Sequence, residues 1–90
     1  MLIHIIIVVA GKVQGVGFRY SAKQAALEHN IKGFVKNLDD GKVYIEAEGT
    51  QENMAAYIIW CKSGPRWAIV NDISIKKEEV KHFTSFDILG

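Results

Sequence analysis

Three glycines, a glutamine and an arginine fall within nine residues near the start of the chain, Gly11-Lys12-Val13-Gln14-Gly15-Val16-Gly17-Phe18-Arg19. The stretch follows strand-like residues and leads into helix-like ones. Glycines let such a loop turn tightly, so that successive backbone N–H groups can point inward as a nest for oxygen anions. The first turn of a helix adds unpaired amides and the positive end of the helix dipole. An arginine at that point supplies a fixed cation. The residue types and their order describe an oxyanion site. Eighteen residues after Arg19 stands Asn37, in Gly33-Phe34-Val35-Lys36-Asn37-Leu38-Asp39-Asp40-Gly41. A neutral side-chain amide there can hold a water against the bound anion.

Regular elements have to carry these groups. Val, Ile and Leu dominate residues 2–9 and predict a central strand. Ile3, Ile5, Ile7 and Val9 can face a core, while Ile6 and Val8 then point to the opposite sheet face. Bare, that face is an apolar patch open to a second copy or another partner; simple sheet packing is the alternative. Residues 18–29 lack Gly and Pro, carry Ala22, Ala25, Ala26 and Leu27, and predict a helix, with Asn30 as a left-handed cap. Ile31–Leu38 reads as a strand and Asp39-Asp40-Gly41 as a turn. In Lys42–Glu48, Val43, Ile45 and Ala47 face one way, and Lys42, Tyr44, Glu46 and Glu48 the other. That alternation predicts a hairpin strand with one buried face.

Thr50 is placed to cap a second helix. Met54, Tyr57, Ile58 and Cys61 recur at helical spacing as its core stripe, and Gly64-Pro65 ends it. Residues 67–76 predict a fourth strand, 76–81 a charged, solvated bend, and 85–89 a short terminal strand. The order β-α-β-β-α-β plus that strand is the α+β, ferredoxin-like split βαβ sandwich: an antiparallel sheet with two helices on one face. Residues 1–90 form one domain.

Bulk composition narrows the function. A chain this size buries roughly 60–65% of its unfolded surface, enough for one core. The net charge is +1, so no general attraction to nucleic acid or anionic membrane is expected and any anion site must be local. The apolar run 2–10 is about half of a membrane span, contains His4 and follows no basic segment, so neither a membrane segment nor an export signal is expected. With no export signal expected, the cytoplasm is the default expectation. One cysteine, Cys61, allows no intrachain disulfide. His4, His29 and His82 lack metal-ligand spacing, so no metal and no cofactor are expected.

With these residues in view, the chain resembles the acylphosphatase family. Gly11–Arg19 matches the signature loop of that family, and Gly33–Asn37 with Asp40-Gly41 matches its second motif. The likeness extends over nearly the whole chain, through Gly49, the Gly64-Pro65 exit and Phe86-Asp87-Ile88. It implies metal-independent hydrolysis of the carboxyl–phosphate bond of small acyl phosphates, giving a carboxylate and inorganic phosphate. It further implies that Arg19 binds the phosphate, that Asn37 orients the attacking water, and that the amides of Gln14, Gly15, Val16, Gly17 and Phe18, on to Arg19, cradle the phosphoryl oxygens. The partners expected are the substrate and product alone, with a monomeric protein.

These residue types suit such chemistry. An acyl phosphate has a good carboxylate leaving group, so positioning and charge stabilisation carry most of the catalysis. A guanidinium fork can hold two phosphate oxygens, and an amide orients a water without deprotonating it.

Plainer readings stand beside these. The glycines alone describe any tight strand-to-helix turn, Arg19 a surface ion pair, Asn37 a strand-end cap, and Cys61 an inert buried thiol. Trp67 belongs either to the core or beside a substrate pocket. One rival function is RNA binding, suggested by Lys32-Gly33-Phe34-Val35, but further aromatics of that motif are missing and Tyr44 alone is a poor stacking platform. A second is a non-catalytic domain of the same family that binds phosphate or a partner.

Overall fold

Alternation decides which side of each strand is buried. In the computed structural model, which describes all 90 residues, Ile5, Ile7 and Val9 of β1 (Leu2–Lys12) are buried. So are Val35 of β2 (Lys32–Asn37) and Val43, Ile45 and Ala47 of β3 (Val43–Thr50). They meet the apolar faces of α1 (Phe18–Glu28) and α2 (Gln51–Ser63), which contribute Ala22, Ala25, Ala26, Met54, Tyr57 and Cys61. Each large aliphatic side chain buried in this way contributes roughly 1.5–3 kcal/mol. The Tyr57 hydroxyl donates to the Ala22 carbonyl at 3.1 Å, joining the two helices through the core.

The remaining strands are β4 (Ile69–Glu78) and β5 (Phe86–Leu89). The sheet runs β4-β1-β3-β2-β5. The first four strands pair antiparallel, and with the two helices they form the ferredoxin-like arrangement expected from the element order. The last strand differs. β5 pairs parallel to β2, from Gly33 with Phe86 to Lys36 with Leu89, so the five-stranded sheet is mixed and not wholly antiparallel. Residues 79–85 cross the sheet from the β4 edge to the β2 edge, and the chain therefore re-enters in the direction of β2.

That crossing corrects two further expectations. The segment from Lys76 was expected to be a solvated bend, yet β4 continues to Glu78 and the backbone amides of Lys81 and Phe83 donate to the Glu48 carboxylate, the latter at 2.9 Å. Glu46 and Glu48 were expected on an exposed face and are buried. Between them lies His4, fully buried, with Nδ1 2.8 Å from Glu48 and Nε2 2.8 Å from Glu46. The Phe83 ring stacks on His4 and meets Phe34 edge-on. Ile6 and Val8 on the same face are half-buried, so this side of the sheet is neither bare nor wholly open.

Local chemistry sets the ends of the helices. Thr50 caps α2 by accepting from the Asn53 amide at 3.1 Å, and Glu52 and Lys62 match the dipole at its two ends. Asn30 takes the left-handed conformation expected of it, with φ 54°. α1 begins differently: Gly17 caps it in a left-handed conformation, φ 78° and ψ 21°, without a side-chain cap. No helix is long and apolar enough to cross a membrane.

Candidate active site

Strand direction brings the site together. β1 and β2 both run antiparallel to β3, so they leave the sheet at the same end, and Val9, Val43 and Asn37 lie in one row across it. β5, parallel to β2, ends beside them. The glycine-rich loop after β1, the last residue of β2, the last residues of β5 and the first turn of α1 therefore meet at one edge. They enclose an open cleft of about 270 Å³, lined by Val13, Gln14, Gly15, Gly17, Phe18, Arg19, Tyr20, Asn37 and Ile88.

The loop is built to expose its amides. Gly15 and Gly17 have φ of 76° and 78°, a region that side-chain-bearing residues adopt only at a cost. None of the amides from Gln14 to Gly17 donates within the chain. Those of Phe18, Arg19 and Tyr20 precede the first helical bond, which Ser21 makes to the Gly17 carbonyl at 3.0 Å. No acidic side chain sits in the first turn of α1 to satisfy them. The Phe18 ring turns away into the core, 2% exposed and edge-on to Trp60, which anchors the helix start while its backbone stays at the cleft.

Arg19 is the one charged residue lining the cleft. It is half-buried, and its Nη1 donates to the Gly90 backbone oxygen at 2.5 Å. A guanidinium carries five N–H donors, so most remain for an anion. Asn37, the last residue of β2, lines the same cleft and makes no side-chain hydrogen bond within the chain. The side chain of Gln14 does: Nε2 donates to the carbonyls of Leu38 at 2.8 Å and Lys42 at 2.9 Å. No carboxylate, histidine or thiol lines the cleft, so it offers fixed positive charge and neutral amides in place of an acid–base pair.

The structure thus brings together Gln14, Gly15, Gly17, Phe18, Arg19 and Asn37 of the residues singled out in the sequence. Val16 lies in the loop, but its side chain packs against the core and does not line the cleft. Val13, Tyr20 and Ile88 join the lining without having been singled out. Val13 lies within the motif and Tyr20 adjoins it, so both were within reach of sequence reasoning; Ile88 arrives only through the parallel pairing of β5. Trp67 belongs to neither expected place: it is 69% exposed, away from the cleft, beneath the Arg66 guanidinium at 5.2 Å. Cys61 is buried, and burial pushes its thiol up to about 12, as suits an inert core residue.

Comparison with known proteins supplies the deciding observation. Residues 5–88 match the model of the acylphosphatase family. The chain belongs to the acylphosphatase family. It is 45% identical over 87 residues to an acylphosphatase of Archaeoglobus fulgidus, covering 97% of this chain and 98% of that one. The acylphosphatase structure from Bacillus subtilis superposes with a TM-score of 0.95 at 37% identity, over the whole of both chains. The same acylphosphatase fold is found within a larger protein, HypF of T. kodakarensis, with a TM-score of 0.82 and 33% identity; there this chain covers 12% of the structure.

Proposed function

We propose that this chain is an acylphosphatase enzyme that hydrolyses the carboxyl–phosphate bond of small acyl phosphates, releasing a carboxylate and inorganic phosphate. The observation that carries the reading is the cleft itself: unpaired loop amides, a single guanidinium and a free asparagine amide converge on one small space.

In this reading the amides from Gln14 to Arg19, with the helix dipole, hold the phosphoryl oxygens. Arg19 adds a full charge and a planar fork. Asn37 holds a water in line with the phosphorus, opposite the leaving carboxylate. The water oxygen forms the new P–O bond as the bond from phosphorus to the acyl oxygen breaks, and that bonding pair leaves with the carboxylate. The proton of the water passes to a phosphate oxygen, so no protein base is required. The apolar Val13 and Ile88 border the place left for the acyl group. No step is routed through a metal ion, and the protein acts on substrate without a macromolecular partner.

Phosphate release from benzoyl phosphate, followed with excess chelator, tests the reading. The native chain is expected to turn over, and Asn37→Ala to lose about 10²–10³ in kcat with a smaller change in KM, the scale for one preorganised polar contact. Absence of turnover by well-folded native protein would refute it. The second reading, a phosphate- or partner-binding domain without catalysis, is favoured by the occurrence of this fold as 12% of HypF. It would then be tested by phosphate titration of the native chain and Arg19→Ala.

A further inference from the structure

We propose that the side chain of Gln14 is a positioning residue for Asn37: it clamps the turn after β2 to the phosphate-binding loop, and so sets the distance between bound phosphoryl group and attacking water. The inference rests on the reading above and deepens it.

The turn has a narrow neck. Leu38 N–H donates to the Lys42 carbonyl at 2.8 Å, Gly41 N–H to the Leu38 carbonyl at 3.2 Å, and Lys42 N–H to Asp40 Oδ1 at 3.1 Å. The two carbonyls that close the neck are the two that Gln14 Nε2 reaches, at 2.8 and 2.9 Å. Both hydrogens of one planar amide are used, and each carbonyl accepts with its second lone pair. Asn37 immediately precedes this neck and ends β2 opposite Val43. No other side-chain hydrogen bond ties residues 11–19 to residues 37–43.

The consequence is geometric. The phosphate position is fixed by the loop amides and Arg19; the water position is fixed by Asn37. These groups belong to different elements, and the separation between them decides whether attack is in line. Arg19 is braced separately, from β5, through the Gly90 backbone oxygen. Gln14 thus braces the water side of the site and Gly90 the phosphate side. The backbone amide of Gln14 belongs to the cradle, but its side chain points to the turn, so substituting the side chain leaves the cradle amide in place. The site requires two donors and no acceptor. Methionine fills the same length without donors. Glutamate turns acceptor oxygens toward two carbonyls, a repulsive arrangement.

The test uses the full chain carrying Gln14→Met or Gln14→Glu, each alone and combined with Asn37→Ala. Steady-state hydrolysis of benzoyl phosphate and inhibition by inorganic phosphate are measured for all. A misplacement of the water is expected to lower kcat by about 10–100-fold in Gln14→Met, and further in Gln14→Glu. Phosphate inhibition is expected to change less than about threefold, and Gln14→Met on the Asn37→Ala background to change kcat less than about twofold, since coupled residues do not act independently. Equal losses of kcat and phosphate affinity, or a full multiplicative loss on the Asn37→Ala background, would overturn the proposal and assign Gln14 to the cradle. A second arm needs no turnover. The Asn37 side-chain NH₂ resonances are expected to shift in Gln14→Met while the loop amides keep their response to added phosphate. Unmoved Asn37 resonances would sink the proposal even in a catalytically silent protein, whereas native protein without turnover counts against the proposed reaction alone.

Discussion

Under the proposed reading Arg19 has two attachments to satisfy: one N–H is committed to the Gly90 backbone oxygen, and the others, unpaired within the chain, are left for the phosphate. Lysine at this position would keep the charge, but it has no planar fork with which to hold a backbone oxygen and two phosphate oxygens together. Arg19→Ala is therefore expected to lower kcat/KM for benzoyl phosphate by more than the ~10²–10³ of a single lost contact, because binding and transition state suffer together. Arg19→Lys should fall between that variant and the native protein, and phosphate inhibition should weaken in the same order in steady-state assays. Arg19 and Asn37 stood out in the sequence because a loop-closing arginine and an isolated strand-end amide are chemically specific types at local spacings. The clamp by Gln14 did not, because its two acceptors are backbone carbonyls 24 and 28 residues away, and a backbone carbonyl has no sequence signature.

At the scale of elements, the notable piece is the strap of residues 79–85. Its amides at Lys81 and Phe83 are held by Glu48, and Glu48 in turn holds His4 against Glu46. Burial by itself would raise the Glu48 carboxyl, but the amides of Lys81 and Phe83 and the His4 ring outweigh it and hold the carboxyl below its ordinary 4.5. Glu46 is likewise lowered against its burial, by the Tyr44 hydroxyl, His4 and the Lys81 charge, while burial and Glu46 push Tyr44 up to about 12. Ionised carboxylates only accept, and each of the two faces one ring nitrogen of His4.

The sign for stability follows from the lowered carboxyls. Their contribution is present above the unfolded value near 4.5 and is lost as pH falls through the lower folded values. Thermal unfolding should therefore drop steeply below about pH 4.5, and Glu48→Gln should start lower and flatten that slope. His4→Ala leaves two buried carboxylates facing each other and is expected to cost about 3–5 kcal/mol in denaturant unfolding.

None of this was legible in the alternation of Lys42–Glu48. The pattern correctly put Val43, Ile45 and Ala47 in the core, but it is blind to an irregular segment that returns to cover the other face. The helix caps at Thr50 and Asn30 were legible because capping is local chemistry.

Across the whole molecule, the order β4-β1-β3-β2-β5 places the first strand between partners far along the chain, Thr50 to Val43 on one side and Glu78 to Ile69 on the other. Non-local pairing of this kind slows folding, since loop closure precedes the contacts that reward it. The single thiol gives a direct way to follow the reverse process. Cys61 is buried with its thiol pushed up to about 12, so a thiol-specific chromogenic reagent should label it only through large-scale opening. Labelling is expected to be slow in buffer, and to become fast across the same denaturant range in which the protein unfolds by circular dichroism. Rapid labelling under native conditions would place the opening within α2 alone. The element order was readable from hydrophobic periods; the parallel entry of β5 was not, because four residues carry no directional information.

That entry has a practical side. Gly90 touches Arg19, so residues appended after it would emerge at the mouth of the cleft. Leu2 pairs with Thr50 at the far end of an 11-residue strand, on the order of 30 Å from the loop. A purification handle or surface tether placed ahead of Met1 would leave the mouth clear, and one placed after Gly90 would stand beside Arg19, the residue proposed to hold the phosphate.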